Sequence, residues 1–287
     1  MTTTMTSFSR VLASGRPVLT AECAPPHSGD REAIAKLASV LPAALDAIVV
    51  ADNPDAIHGS ALACAAVLTG DGREALLTMA TRDRNRIALE SDALGAAVLG
   101  IAGILCVSGN HQSLGVCPEA ASANDIDSTQ LEKIIAGLDL PAVALGAVAN
   151  THLRPIELNL LRLKKKIDAG AQFLLTQPVF DVPAFSSWMD AVHLAGLDQR
   201  VAIIASVLPL TSAAQAETLQ RRKTYGPIDA AVVARMESAT DPSAEGVAMA
   251  ASAAAQLKGI AGVRGIHILS AGCEELAARV IQAAGLG

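Results

Sequence analysis

Glu22 is the residue of this 287-residue sequence with the clearest potential for acid catalysis. It ends the apolar segment 17–22 and stands just before a Pro-Pro pair in the run Glu-Cys-Ala-Pro-Pro. A carboxyl group at the end of an apolar strand is partly desolvated, which raises its pKa and suits general acid work near neutral pH. The alternative is a structural carboxylate that pairs with an arginine such as Arg82 or Arg84, and the position alone favours neither role.

Two further segments combine polar side chains with backbone that could approach a ligand. Residues 108–111, Ser-Gly-Asn-His, follow an apolar run, and Gly109 would let a planar ring or a phosphate come close to the main chain. Asn150, His152 and Asn159 flank the start of a basic helix that carries Lys166, and helix starts bind anions. The alternatives are an ordinary turn at the glycine and a solvated basic face on the helix.

The composition excludes several other kinds of site. The six histidines show no HxxxH or HxH spacing and the five cysteines include no CxxC pair, so we expect neither a metal site nor a disulfide framework. A net charge of −6 with 2% aromatic residues argues against a nucleic-acid surface. No secretory signal is recognised, and the longest apolar stretch, 93–107, is too short to span a membrane. We therefore expect a cytoplasmic protein with buried thiols and no membrane contact.

Short apolar runs alternate with helical patterns along the sequence. Several of the runs are continuously apolar, as expected for parallel strands that are buried on both faces. Helices are predicted at 31–41, 127–137, 155–169, 243–257 and 274–284. Strands are predicted at 17–22, 46–51, 75–80, 103–107, 142–149, 173–176, 201–207 and 265–269.

Eight strands that alternate with helices predict an α/β fold, a (β/α)8 TIM barrel in one domain, 1–287, with residues 1–15 as a flexible N-terminal extension. A doubly wound open sheet is the alternative, but no Gly-x-Gly-x-x-Gly follows the first strand. In a barrel, the carboxyl ends of all strands meet at one mouth. The polar groups that follow these strands would therefore converge there.

The strand ends and one long block resemble the methylenetetrahydrofolate reductase family in its short bacterial form. The block is residues 163–181, LKKKIDAGAQFLLTQPVFD, which is similar to the family pattern LK.K..AGA....TQ..FD. The run from Glu22 to Pro26 is similar to the family's E-x-x-P-P signature. Segments 46–53, 81–85 and 208–215 also fit, and the resemblance extends from about residue 16 to residue 285.

The resemblance implies a (β/α)8 barrel that binds a flavin at its carboxyl-terminal face, usually FAD, with FMN as the other form. A reduced nicotinamide cofactor, NADH or NADPH, would reduce the flavin and leave. In its place 5,10-methylenetetrahydrofolate would bind and become 5-methyltetrahydrofolate, a reaction of one-carbon metabolism that could run in either direction. Glu22 matches the family's general acid, which protonates the nitrogen that departs when the five-membered ring of the folate opens.

The resemblance also implies two sets of binding residues. Gln177 and Gln215 match glutamines that contact the folate, and Leu219 stands where the family has an aromatic residue. The implied flavin contacts are Thr78, Ser108, Gly109, Asn110, Asn150, His152, Asn159 and Lys166.

Besides Leu219, four positions depart from the family pattern. Asn110 replaces an aspartate, Thr78 a histidine and Asn159 an acidic residue, while Cys273 replaces an arginine that contacts substrate. The change at Asn110 keeps a hydrogen bond but removes a charge, which would alter flavin electronics or pterin binding.

Three functions remain open at this point. The first is the flavin-dependent reductase, and the second is a divergent paralogue that binds FMN and receives electrons from a partner subunit. The third is a non-catalytic folate-binding or scaffolding subunit, which would have no need of a proton donor such as Glu22. In each case the expected ligand is a tetrahydrofolate derivative, and a homo-oligomer is expected by analogy with the family.

Overall fold

A closed barrel of eight parallel strands forms the centre of the protein. The computed structural model describes residues 6–54, 56–111, 113, 117–140, 142–222, 225–270 and 272–286. Each strand pairs with its neighbours in chain order, and the last strand pairs with the first. This confirms the predicted (β/α)8 barrel and excludes the open sheet. The strands are β1 (Val18–Cys23), β2 (Ala47–Val50), β3 (Ala75–Ala80), β4 (Gly103–Val107), β5 (Ala144–Ala149), β6 (Phe173–Pro178), β7 (Ala202–Val207) and β8 (Val263–Ile268).

The observed strand bounds agree closely with the predicted ones, because continuously apolar runs are a strong signal for strands buried on both faces. β3 and β4 have the predicted bounds, and β1 is displaced by one residue. β6 continues two residues beyond its predicted end. Gln177 therefore belongs to the strand itself and not to the loop that follows it.

Eleven helices surround the barrel in the described part of the chain. The sequence predicted α2, α5, α6, α10 and α11, each to within one residue at either end. It missed the other six helices. One of them, α3, has the sequence ALACAAVLTG, which is apolar on every side and so shows no helical periodicity. The helices are α1 (Ser7–Ser14), α2 (Arg31–Val40), α3 (Ala61–Gly70), α4 (Arg86–Val98), α5 (Ser128–Gly137), α6 (Ile156–Asp168), α7 (Val182–Leu194), α8 (Ala213–Arg222), α9 (Ala230–Ser238), α10 (Pro242–Leu257) and α11 (Glu275–Ala284).

The first helix closes the amino-terminal end of the barrel. Phe8 is fully buried, and its ring lies 5.4 Å from the ring of Phe173 at an interplanar angle of 84°. The ring of Phe173 fills the space beside Gly146, where a Cβ atom would lie only 2.1 Å from its Cζ atom. The interior core of the barrel therefore begins with two aromatic rings and a glycine that makes room for them.

Two polar contacts fix the start of this helix. The Thr6 hydroxyl accepts a hydrogen bond from the Ser9 amide, and the Glu74 carboxylate accepts hydrogen bonds from the amides of Ser7 and Phe8. The structure therefore differs from the expected flexible extension over 1–15, because residues 7–14 form a packed helix. Residues 1–5 lie outside the described residues.

Replacing Phe8 by leucine is expected to lower the free energy of unfolding by about 1–2 kcal/mol, because the substitution leaves a gap against Phe173. Equilibrium unfolding in urea measures the change. Ile87→Ala is the matched control, since Ile87 is 76% exposed and should shift stability by less than about 0.5 kcal/mol. Equal effects of the two substitutions would contradict the docking of α1.

The five cysteines are free; Cys23, Cys64 and Cys106 are buried, and Cys117 and Cys273 are partly exposed. Among the described residues, none of the helices has the length and apolar character needed to cross a membrane.

Candidate active site

A cavity of about 460 Å³ opens at the carboxyl ends of the strands. Its wall contains the ends of β1, β2, β3, β4, β5, β6 and β8, so the polar groups that follow these strands do converge on one mouth. We call it the mouth cavity. Eight of the predicted site residues line it, namely Glu22, Thr78, Ser108, Gly109, Asn110, Asn150, Lys166 and Gln177.

These residues divide between facing sides of the barrel. In the closed order of eight strands, β3, β4 and β5 lie opposite β7, β8 and β1. The expected cofactor contacts Thr78, Ser108, Gly109, Asn110 and Asn150 belong to the first arc or to the loops that leave it. Glu22 on β1 belongs to the second arc and faces the β5 side across the mouth. One wall is therefore rich in neutral hydrogen-bonding groups, while the wall opposite carries a carboxyl group.

Glu22 is half-buried near the end of β1. The Ser270 hydroxyl lies 3.5 Å from Glu22 Oε1 and 3.4 Å from Oε1 of the buried Glu274. Glu274 also accepts a hydrogen bond from the Ala24 amide at 3.0 Å, which fixes the chain just beyond Glu22. The β1 end and the loop after β8 thus hold the carboxyl group in place at the mouth.

A buried imidazole lies one layer deeper on the same side. His267 on β8 pairs in register with Thr20 on β1, two residues before Glu22, and its Nδ1 lies 2.9 Å from the Thr20 hydroxyl. Burial lowers the pKa of His267 to about 3, so the ring is neutral. His267 lines the mouth cavity, and the sequence analysis did not single it out. Its position inside the apolar run predicted as the strand 265–269 was the available signal.

The loop after β4 is shaped by Arg82. Gly109 has a φ of +81°, and a Cβ atom there would lie 3.1 Å from the Arg82 Cβ. The Arg82 guanidinium donates to the carbonyls of Asn110 and Asn53 at 3.0 and 3.1 Å, and it forms a two-bond ion pair with Asp83. Gly109 is therefore required both by its backbone conformation and by the close passage of the arginine.

Arg84 and Asp52 form the neighbouring ion pair. Asp52 lines the mouth cavity and accepts hydrogen bonds from Arg84 and from the Ala80 amide, while Arg84 also donates to Asp92. Burial raises the pKa of Asp52 and the Arg84 charge opposes that rise. These contacts connect β2, β3 and α4 around the rim of the mouth.

Replacing Arg82 by lysine is expected to lower stability by about 2 kcal/mol, because an ammonium group cannot span both carbonyls and the Asp83 carboxylate. Urea unfolding measures this loss. We also expect ligands of the mouth cavity to bind roughly tenfold more weakly, since the 108–111 loop loses its anchor. Arg86→Lys is the control on the next helix, and its exposed pair with Asp125 should contribute little. A full retention of affinity in Arg82→Lys would contradict the anchoring role.

Asn159 and His152 lie near the mouth cavity but do not line it. The Asn159 amide group donates to the carbonyls of Asn150 and Leu153, and its oxygen accepts from Trp188 Nε1 at 3.2 Å. The His152 ring packs over Gly226. In the structure, Asn159 holds the loop after β5 in place, and no contact to the cavity is present for either residue.

Lys166 is the basic residue of α6 that reaches the mouth cavity. Its Nζ donates to the Val148 carbonyl at 2.7 Å, and burial lowers its pKa. Arg162, Lys164 and Lys165 are exposed on the other face of the helix. Three basic side chains of this segment are therefore solvated, and the Lys166 amine is directed inward.

A second cavity of about 320 Å³ adjoins the first and shares part of its wall, including Glu22 and Asn110. Gln215 and Leu219 on α8 line it, together with Arg222. Gln215 Oε1 accepts hydrogen bonds from the Thr211 amide and hydroxyl, which orients its side-chain amide. Cys273 lines neither cavity. Among the described residues, no group of three or more His, Cys, Asp or Glu side chains could hold a metal ion.

Comparison with known proteins relates the chain to one family. A family model described as Methylenetetrahydrofolate reductase matches residues 7–285. The chain is similar to methylenetetrahydrofolate reductase 2 of Saccharomyces cerevisiae, with 40% identity over 75 residues, which cover 26% of this chain and 12% of the relative. It is also similar to 5,10-methylenetetrahydrofolate reductase of Salmonella typhimurium, with 33% identity over 118 residues, 41% of this chain and 38% of the relative. The chain thus spans well under half the length of these curated relatives.

A solved structure supports the fold. A protein from Clostridium thermocellum that binds two copies of 5-methyl-5,6,7,8-tetrahydrofolic acid superposes with a TM-score of 0.69 and 15% sequence identity. The superposition covers 97% of this chain and 98% of that one.

Proposed function

Because this chain belongs to the methylenetetrahydrofolate reductase family, we propose that it reduces 5,10-methylenetetrahydrofolate to 5-methyltetrahydrofolate. The electrons come from NADH or NADPH and pass through a bound flavin, with FAD as the expected form. The single observation that carries the proposal is the division of the mouth between its facing arcs. Neutral hydrogen-bonding groups on the β3–β5 side suit a flat cofactor, and Glu22 opposite them suits a proton donor to a second ring stacked above it.

The residues of the first arc fit a flavin ring. Gly109 lines the mouth cavity and has no side chain, so a ring can approach its main chain from the cavity side. Thr78, Ser108 and Asn110 offer donors and acceptors for a heteroaromatic edge. Lys166 offers one positive charge to an anionic group. A bound flavin would supply hydride transfer between the nicotinamide and the folate.

The second arc fits the folate. Addition of a hydride to the methylene carbon breaks its bond to the departing nitrogen, and that nitrogen must gain a proton. Glu22 is the proposed donor of this proton, with Ser270 and Glu274 holding the loop beside it. Gln177 and Gln215 can each donate to and accept from a pterin edge.

The adjoining cavity suits the tail of the folate. Its wall combines the apolar Leu219 with the guanidinium of Arg222, which matches an aromatic linker that ends in carboxylates. Tyr225 lines both cavities and is the aromatic residue positioned between the proposed pterin and tail subsites. The other apolar residues of the cavity walls are aliphatic, so the flavin ring would stack mainly on the nicotinamide or pterin ring.

A flavin spectrum provides the test. The purified protein, reconstituted with FAD if necessary, is expected to be yellow, to bleach with NADH or NADPH, and to recover its colour with methylenetetrahydrofolate. A protein that takes up neither FAD nor FMN would contradict the flavin-dependent reduction and favour a folate-binding subunit. Bleaching by dithionite but by neither nicotinamide would favour the paralogue that receives electrons from a partner subunit.

The compartment and the oligomeric state of the protein are part of the same proposal. We propose a cytoplasmic homo-oligomer, and light scattering of the purified protein measures its assembly. A monodisperse monomer with full activity would contradict the oligomer without affecting the proposed reaction.

A further inference from the structure

Glu132 is a buried carboxyl group that takes no part in the proposed reaction. It lies on α5, is 0% exposed, and neither of its carboxyl oxygens has a hydrogen-bond partner. The other buried residues of α5 are Ser128, Leu131 and Ile135, so Glu132 lies on the helix face that packs against the barrel. A buried carboxyl group without partners is unfavourable in its charged form, and an apolar side chain would be the ordinary occupant of this position.

Glu132 lies directly behind the wall of the mouth cavity. Ser128, one helical turn earlier on the same face, lines that cavity, and Glu132 itself does not. Lys166 of α6 lines the cavity and donates its Nζ hydrogen bond to the Val148 carbonyl. The charge of Lys166 lowers the pKa of Glu132. Among the charges that shift the pKa of Lys166, that of Glu132 has the largest effect. The buried Glu132 carboxyl, which lies outside the mouth cavity, thus interacts electrostatically with Lys166, which lines it.

The other ionisable groups around the pair are few. Burial raises the pKa of Glu132 to about 8; the Lys166 charge opposes this rise and Asp127 adds to it. Cys106 of β4 has its own pKa raised by burial and then by Glu132, and Arg162 acts on Lys166. β5 has no titratable side chain, and α4 contributes none of the charges that shift the Glu132 pKa. Near neutral pH, Glu132 is therefore mostly protonated beside Lys166.

We propose that Glu132 is a positioning residue that acts through Lys166. Whether Glu132 holds its proton sets the net charge that the two side chains together present to an anionic group of a ligand in the mouth cavity. This rests on the proposed function, because the flavin phosphate or the reduced flavin ring is the anionic group concerned. With Glu132 protonated, the ammonium charge is uncompensated and attracts the anion. With Glu132 ionised, the pair is neutral overall and the attraction is lost. Binding of the anion is thereby linked to retention of a proton on Glu132.

The test compares FMN binding to the wild-type protein and to Glu132→Gln at pH 7 and pH 9, measured by quenching of flavin fluorescence. At pH 7 both carry a neutral group at position 132 and are expected to bind FMN equally. At pH 9 the wild-type protein carries a carboxylate, and Glu132→Gln is expected to bind roughly tenfold more tightly. Glu157→Gln, an exposed carboxylate on α6, is the matched control and should follow the wild-type profile.

A second arm separates the two sources of negative charge. Riboflavin lacks the phosphate, and its reduced form, kept under anaerobic conditions with dithionite, carries charge only on the ring. A Glu132→Gln effect with FMN but not with reduced riboflavin assigns the phosphate to Lys166. An effect with reduced riboflavin but not with oxidised FMN, whose ring is neutral, assigns the ring.

Three results would overturn the proposal. The first is a parallel pH profile in wild-type protein and Glu132→Gln with both FMN and reduced riboflavin, and the second is weaker binding by Glu132→Gln at pH 9. The third is an absence of FMN binding at both pH values, whereas the proposed reduction is decided separately by consumption of NADH with methylenetetrahydrofolate. Glu132→Leu serves as the second variant if the glutamine protein folds poorly, and it carries the same expectations.

Discussion

Replacing Glu22 by glutamine is expected to lower the rate of methylenetetrahydrofolate reduction by about 10³-fold while leaving reduction of the flavin by NADH or NADPH almost unchanged. The amide has nearly the shape of the carboxyl group but cannot give a proton to the departing nitrogen of the folate. The hydride transfer from the nicotinamide to the flavin requires no such proton donor on that side of the mouth. Stopped-flow absorbance of the flavin measures the two half-reactions separately.

Glu275→Gln is the matched control for this experiment. Glu275 is an exposed carboxylate at the start of α11, next in sequence to the buried Glu274. Its substitution should leave both half-reactions at wild-type rates. Loss of both half-reactions in Glu22→Gln would show that Glu22 is needed for cofactor binding, and equal rates in both would remove it from the reaction.

The strands and the convergence of the site could be predicted from the sequence for one physical reason. Strands buried on both faces leave continuous apolar runs, and the polar residue that ends each run is placed at the mouth by the closure of the barrel. Glu22, Asn110 and Gln177 were found in this way, from three different strands. The helices were harder to predict from the sequence, because some of them, such as α3 and α4, have no clear apolar stripe.

Residues whose roles depend on side-chain direction could not be predicted. Asn159 follows the end of a strand in the sequence, as the lining residues do. Its side-chain amide, however, is held by the carbonyls of the loop after β5 and by Trp188. Arg82 could be recognised as a charge but not as a contact of two carbonyls that come from separate loops. Glu132 stands in the polar run Ser-Thr-Gln-Leu-Glu-Lys, which is typical of an exposed helix, and only the packing of α5 shows that it is buried.

The burial of Glu132 also leads to an expected gain in stability when the residue is replaced by leucine. The ordinary pKa of this carboxyl is 4.5 and burial raises it to about 8, so the folded protein holds a proton there that the unfolded chain releases between these pH values. Folding therefore becomes less favourable as pH rises through that window, by about 1.4 kcal/mol for each pH unit. At pH 7 the upper limit of the cost is about 3 kcal/mol, which Glu132→Leu would remove.

Urea unfolding of the wild-type protein and Glu132→Leu at pH 5, 6, 7 and 8 measures this effect. Of these four pH values, pH 5 lies closest to the ordinary pKa of 4.5, where proton release by the unfolded chain begins, so the two proteins should differ least there. The difference should widen up to pH 8 and then level off, because above the folded-state pKa both states have released the proton. Glu157→Gln, whose carboxylate is exposed, should stay parallel to the wild-type protein. A loss of stability in Glu132→Leu that is the same at every pH would mean that Glu132 packs as an ordinary core side chain. Its carboxyl group would then not destabilise the folded protein. A widening gain would show that the fold retains an unfavourable carboxyl group beside Lys166, as expected if the group controls a charge in the mouth cavity.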